Sequence, residues 1–379
     1  MAAKIRKPAK NLTWVSFRYK TSISPAFANF AAEKAMKELI LDTIGNEAFA
    51  YVSCHCDLGA PDNLTLSTTS VFNIEKEDDE AFQSVVNLRR INDIQNLNEF
   101  FASVNHKLKP EGLFIGFVET YVLRKKRILK KYPPGLNYLY YSLDFIVKRV
   151  FPKLRMTRRI YFYLTRGNNR VLSRAETFGR LTLAGFLIED ARQVGKFLFF
   201  LCRKEREPGM LKEKNTGILI RLPRIGKDGK VIEVYKLRTM HAYSEYLQDY
   251  VYNLYALKEG GKLDRDFRIS TLGRIMRRFW IDEIPMLINL LRGEMKLIGV
   301  RPLSQHFFEL YHKDLKQKRI KNKPGLIPPY YADLPSSLEE IMESEMRYLE
   351  AYERHPWRTD LKYFGKALYN ILFRRARSA

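Results

Sequence analysis

Cysteine is scarce in this 379-residue chain, which carries only Cys54, Cys56 and Cys202. Three thiols build no disulfide framework, so the sequence points to a reducing compartment. Cys54-His55-Cys56 has the outline of a metal fragment. Zinc takes about four ligands in a tetrahedron, however, and no second ligand pair follows at a suitable spacing. The segment FAYVSCHC is read instead as extended chain, with both thiols on one face as small hydrophobes. Long apolar runs are missing as well. No uninterrupted stretch approaches the ~20 residues that cross a bilayer as a helix. The basic start MAAKIRKPAKNLTW has no apolar core behind it of the kind a secretory signal carries. The expected location is the cytoplasmic face of the inner membrane, with peripheral or monotopic attachment. Acidic residues are also in short supply: 42 Asp and Glu face 66 Lys and Arg, a net charge of +24. Such an excess attracts polyanions, whether nucleic acid, anionic headgroups or phosphorylated substrates. No nucleic-acid recognition motif accompanies it, so nucleic acid is not an expected partner.

What is present suits two packed domains. Apolar residues make up 46% of the chain and aromatics 13%, which argues against a disordered basic tail. FANFAAEKAMKELILDTIG places Ala32, Met36, Leu39 and Ile40 near one helical face. QSVVNLRRI, LNEFFASVNHKL and EGLFIGFVET then read as strand, helix and strand, a βαβ unit of a mostly parallel sheet. In the basic, aromatic stretch that follows, Leu136, Leu139, Leu143, Ile146, Val150 and Leu154 fall at helical spacing, with Pro152 set to kink or end the helix. Two outcomes stay open for it: an amphipathic helix in a membrane interface, or a helix packing on its own domain. Ala175 to Leu183 reads as a helix, and GFLIEDARQVGKFLFFLCRK as two strands joined by a short turn. The charged RKEREPGMLKEKNT marks a boundary. The division expected is a domain over 1–205, a linker over 206–216 and a second domain over 217–379.

The chemistry-bearing residues gather after that boundary. ILIRLPRIGKDGKVIEVYKLRTM reads as a hairpin with a tight turn at its middle, carrying Arg221, Arg224, Lys236 and Arg238. Strand alternation puts Lys236 and Arg238 on one face, where two cations converge on one anion. Asp282 and Glu283 stand just before Pro285, with a helix expected from Pro285 to Leu291. Arg268, Arg274, Arg277 and Arg278 precede this pair by a few residues. A helix N-terminus attracts phosphate, but two carboxylates there repel it unless a divalent cation or several arginines intervene. Taken alone, Asp282 is more simply a helix cap. Arg301-Pro302 and KNKPGLIPPYY supply two further turns.

In order and spacing these blocks resemble the bacterial sugar transferase family, the polyprenyl-phosphate sugar-1-phosphate transferases. The family's Tyr-Lys-Phe-Arg-Thr-Met is matched by Tyr235 to Met240. Its Asp-x-Arg-Ile-Thr-x-x-Gly-Arg is matched by Asp266, Arg268, Ile269, Gly273 and Arg274. Its Asp-Glu-Leu-Pro-Gln-Leu-Ile-Asn core stands as Asp282 to Asn289, followed by Gly293-Glu294-Met295, Gly299-Val300-Arg301-Pro302 and Lys323-Pro324-Gly325. Trp280, Met286, Val300 and Pro328-Pro329-Tyr330 depart from the family pattern, and the charged linker stands where the family has an apolar, membrane-penetrating helix. The resemblance implies a compact α+β domain with a basic β-hairpin. It implies transfer of a sugar 1-phosphate from a nucleotide-diphosphate sugar, UDP-linked by expectation, to polyprenyl phosphate. It further implies Asp282 as nucleophile, Glu283 as Mg2+ ligand and acid/base partner, and phosphate contacts from Arg221, Lys236, Arg238, Arg268, Arg301 and the Arg301-Pro302 turn. A non-catalytic sugar-nucleotide-binding or scaffold protein is the alternative. Residues 80 to 205 resemble the later part of a class I methyltransferase fold through KLKPEGLFIGFVE, a late Ser-x-x-Glu and LAGFLIEDARQ. The glycine-rich turn that family uses for its methyl donor is absent from residues 1 to 80, which implies an α/β domain without methyl transfer.

Overall fold

In a computed structural model of the chain, the described residues are 38, 41–42, 44–153, 155–209, 217–256 and 266–374. The helix expected around Ala32 to Ile40 lies almost wholly outside them. The chain forms two compact units, residues 1–214 with 241–268, and residues 215–240 with 269–379. The expected second domain is therefore interrupted. Residues 241–268 belong to the first unit because their apolar side chains are buried there: Leu247 and Val251 sit in its main core, with Tyr250 and Phe267 packed against it.

The first unit is an α/β sheet of five strands in the order β1 (Asn63–Leu66), β2 (Phe82–Asn87), β3 (Leu108–Val118), β5 (Phe197–Lys204), β4 (Phe186–Val194). β1, β2 and β3 run parallel, while β5 is antiparallel to both neighbours. β2 buries Phe82, Val85 and Val86, and β3 ends in an apolar run over residues 113–118, because both faces of the sheet are covered. One face packs on helix α2 (Leu97–Lys107), through Phe100, Phe101 and Val104, and on the helix Arg174–Leu183, through Phe178 and Leu181. The other face takes Ala48, Tyr51 and Val52 of α1 (Asn46–Ser53). The FAYVSCHC segment is thus the end of a helix and a turn, not extended chain. Ala48, Tyr51 and Val52 recur at helical spacing, and a Cys56 Sγ–H bonds back to Val52 O at 3.6 Å. Arg203 and Lys204 of the charged stretch still belong to β5, where Lys204 is buried.

The second unit is α+β. β6 (Leu219–Ile225) and β7 (Val231–Leu237) form the expected antiparallel hairpin. Its turn needs two consecutive positive φ angles, supplied by Asp228 at 56° and Gly229 at 71°. β8 (Lys296–Ile298) and β9 (Gly325–Ile327) form a short parallel pair. Two long helices, Leu338–Arg354 and Pro356–Phe373, help to close a core that includes Ile298, Leu303, Tyr348 and Leu349.

Candidate active site

The acidic pair lies in a 3-10 turn, Ile281–Met286, followed by a short α-helix, Leu287–Leu291. The single helix expected from Pro285 is thereby corrected: α-helical bonding starts two residues later, and neither carboxylate caps it. With only five residues, that helix offers no helix-end phosphate seat. The chain enters the turn through Trp280, whose φ of 57° is left-handed and strained for a bulky side chain. The indole packs on Tyr331 at 4.7 Å between ring centres, and Tyr331 in turn on Tyr330 at 4.4 Å. Aromatic packing therefore holds the conformation that aims Asp282 and Glu283.

β7 delivers the first cation. Lys236 Nζ donates to Glu283 Oε1 at 2.7 Å, with both side chains largely buried. The hairpin is fixed against the acidic segment by Asn289, which is fully buried. Its Nδ2 donates to Glu233 O at 2.7 Å and to Glu294 Oε2 at 2.6 Å, and its Oδ1 accepts from Tyr235 N–H at 3.1 Å. Asp282 is half-buried, and burial raises its carboxyl above the ordinary range. The Glu283 charge adds to that, while Lys236 and Arg277 oppose it. Arg277 sits on a helix over Thr271–Arg278 and donates through Nε to Thr239 Oγ1 at 3.0 Å. Gly273 of the same helix is needed for this approach, because a Cβ there would lie 2.0 Å from Thr239 O.

Arg301 comes to the same neighbourhood from β8. Burial works against its charge, but Tyr330, Tyr331 and Glu283 outweigh that and raise its pKa. Its guanidinium lies 6.0 Å from the Tyr330 ring centre. Arg319 bonds the Arg301 carbonyl and pairs with buried Glu345, which fixes the backbone leading into buried Pro302. Arg224 is close enough that the Arg301 charge, after burial, lowers its pKa.

Asp282, Glu283, Lys236, Arg277 and Arg301 are thus electrostatically coupled. The remaining expected cations have other partners as well. Arg221 is exposed, 3.4 Å from Glu233 and 5.5 Å from the Tyr235 ring centre. Arg238 Nε donates to Gly217 O at 3.0 Å. Arg268 belongs to the first unit, where it is buried and held by Asp266 at 2.7 Å and by Gln248 Oε1 at 2.7 Å. Its guanidinium is consumed by a local carboxylate, so it is read here as a structural residue. Asn289, Trp280 and the two tyrosines have no role among the sequence-based expectations. Asn289 stood inside the family core and was the one with a visible signal.

The surface of this segment is unusual. On Thr271–Arg278 the buried residues are Gly273 and Met276, while Leu272 and Ile275 face solvent beside Arg274 and Arg278. Phe279, Ile284, Leu287 and Leu291 are exposed too. No helix of the described residues is long and apolar enough to cross a membrane.

The second unit has relatives among known proteins. Residues 209–374 match the family model described as Bacterial sugar transferase. Galactosyl transferase CpsE of Streptococcus agalactiae is 27% identical over 163 residues, covering 42% of this chain and 34% of that protein. Exopolysaccharide production protein ExoY of Sinorhizobium fredii is 33% identical over 108 residues, covering 27% of this chain and 47% of that protein. Undecaprenyl-phosphate galactose phosphotransferase of Salmonella typhimurium is 35% identical over 108 residues, covering 27% and 22%. The chain therefore spans less than half the length of each of these relatives. Among solved structures, a geranyl diphosphate methyltransferase in complex with SAM covers 45% of this chain and 84% of its own at 10% identity. Its TM-score is 0.23, too low to carry an argument. Residues 209–374 of this chain are thus similar to the bacterial sugar transferase family.

Proposed function

We propose that this protein transfers a sugar 1-phosphate from a nucleotide-diphosphate sugar to polyprenyl phosphate, an initiating step of exopolysaccharide or related glycan synthesis. The observation that carries the reading is the half-buried Asp282 beside the Glu283–Lys236 pair, within the field of Arg277 and Arg301. A carboxylate is a competent nucleophile toward phosphorus, and it splits one hard displacement into two. Asp282 attacks the phosphorus that bears the sugar. The bond from that phosphorus to the bridging oxygen breaks, and its electron pair leaves with the nucleoside monophosphate. An oxygen of polyprenyl phosphate then attacks the aspartyl phosphosugar, and the carboxylate leaves with its own electron pair, regenerating Asp282.

The other residues bind and orient. Lys236, Arg277 and Arg301 hold phosphate oxygens, with Arg suited to bidentate contact. Arg221 and Arg238 are assigned to outer phosphate contacts, and Pro302 turns the chain so that Arg301 projects. Asp282 and Glu283 are adjacent, half-buried carboxylates, oxygen donors of the kind a hard divalent cation such as Mg2+ takes. Glu283 would hold it, and when bound it neutralises diphosphate charge.

The acceptor is a lipid, and the exposed Leu272, Ile275 and Phe279 beside Arg274 and Arg278 support peripheral attachment to the inner membrane, at its cytoplasmic face. The first unit is assigned a non-catalytic, methyltransferase-like role: no glycine occurs between Gly59 and Gly112, so the turn after β1 has none for close approach to a cofactor. The test is release of UMP from UDP-sugars with undecaprenyl phosphate and Mg2+. The wild type is expected to release it and Asp282→Asn is not. Binding of the UDP-sugar without any UMP release would favour the scaffold alternative instead.

A further inference from the structure

The helix Leu136–Phe145 of the first unit is built inside out. Its buried positions are polar: Asn137 and Asp144, continued by Arg149 in the π-helical turn Ile146–Val150. Asp144 is clamped by Arg124 through bonds of 2.6 and 2.8 Å, and Arg124 also donates to buried Glu119 at 3.1 Å. Asn137 Nδ2 donates to Leu129 O at 3.1 Å, and Arg149 Nη1 to Val171 O at 2.8 Å. The apolar stripe therefore faces outward, through Leu136, Leu139, Leu143, Ile146 and Val147, spaced as one helical face. The spacing read from the sequence is observed as far as Ile146, while Leu154 lies outside the described residues; among the described residues the stripe does not pack on its own domain.

After the break at Phe151–Lys153, where Pro152 ends the run, the helix Arg155–Thr165 repeats the pattern. Tyr161 is buried, while Met156, Ile160, Tyr163 and Leu164 are exposed, the last three by 62%, 86% and 73%. Single exposed apolar side chains are ordinary, but stripes of this kind on consecutive helices mark an interaction surface.

Charge selects the partner. From Tyr121 to Arg170 the chain carries fourteen Lys and Arg residues and one acidic residue, Asp144, which is buried. Lys125, Lys126, Lys130, Lys131 and Arg159 are exposed around the apolar positions. Tyr138, Tyr140 and Tyr163 are exposed as well, and Lys125 and Lys131 lie 5.5 and 5.4 Å from the ring centres of Tyr141 and Tyr132. Exposed leucine and isoleucine, interfacial tyrosine and a wholly basic rim are complementary to an anionic bilayer surface, in which acyl chains lie beneath negative headgroups. A partner helix in a soluble complex would need no such uniform rim.

We infer that residues 121–166 form a second membrane-docking element, which lies in the interface of an anionic bilayer without crossing it. It stands on the first unit alone and does not rest on the transfer chemistry at Asp282. The test uses full-length protein and vesicles of phosphatidylethanolamine with phosphatidylglycerol. A nitroxide is attached at Leu143→Cys in a Cys54→Ser/Cys56→Ser background. Adding vesicles should immobilise the label and make it accessible to oxygen but not to a water-soluble nickel complex. Asp282→Asn protein should behave identically. Leu139→Glu/Leu143→Glu/Ile160→Glu, with unchanged thermal unfolding, should weaken vesicle binding by about tenfold or more. A label that stays in water while the protein sediments with vesicles would overturn the inference. So would a triple variant that binds vesicles as the wild type does but loses self-association in sedimentation, since the face would then belong to a second copy.

Discussion

Asp282 carries a conflict that its neighbours manage without removing. Burial and the adjacent Glu283 favour the protonated carboxyl, whereas nucleophilic attack needs the carboxylate. Lys236 pairs with Glu283 rather than with Asp282, so on the proposed mechanism the countercharge lowers the repulsion while leaving the attacking oxygens available. The linkage has a definite sign. A carboxyl whose pKa is raised by folding contributes stability below its unfolded value, and that contribution is lost as pH rises through the folded value. Asp282→Asn is therefore expected to melt higher than the wild type near pH 7, with the difference shrinking as pH falls below the ordinary aspartate range. Calorimetry at the two pH values checks this, and a wild type that melts higher at pH 7 would show that Asp282 is a stabilising ion-pair partner. The residue types of the site were legible because they recur in a family order. The Trp280 conformation was not: a positive φ at an aromatic depends on Tyr330 and Tyr331, distant in sequence.

At the scale of elements, the site is a hairpin bound to a turn by one side chain. Asn289 satisfies a donor on Tyr235 and an acceptor on Glu233 while bonding Glu294 directly. Truncation leaves buried backbone groups unmade, so Asn289→Ala should destabilise the protein by about 2 kcal/mol or more. A shift of the urea midpoint at constant slope measures it, and an unshifted midpoint would mean that the hairpin is held by Met286, Met295 and Val234 instead. Alternation, glycine and proline signals made the hairpin, the β2–helix–β3 unit and the β4–β5 pair readable from sequence. Helical spacing also located Leu136 to Ile146, but spacing gives the angle of a stripe and not its direction. Only the partners of Asp144 and Arg149 reveal that the polar side faces inward.

At the scale of the whole molecule, the boundary composition separated the two units, yet residues 241–268 return to the first, linking the units by three passages of the chain. Their apolar residues, Leu247, Val251 and Phe267, resembled any other packed segment. Nothing local says which core receives them. The excess of +24 resolves in part into two places, the cations around Asp282 and a basic apolar surface on the first unit. On the proposed function, both suit a reaction between a charged nucleotide sugar and a phosphate held in a membrane.

The central claim is the covalent role of Asp282. Protein incubated with UDP-sugar and Mg2+ but no lipid acceptor, quenched rapidly and weighed intact, should gain one sugar phosphate. Peptide mapping should place that addition on Asp282, and polyprenyl phosphate should discharge it. UMP release in the presence of acceptor with no adduct at any quench time, or an adduct that survives Asp282→Asn, would contradict the account.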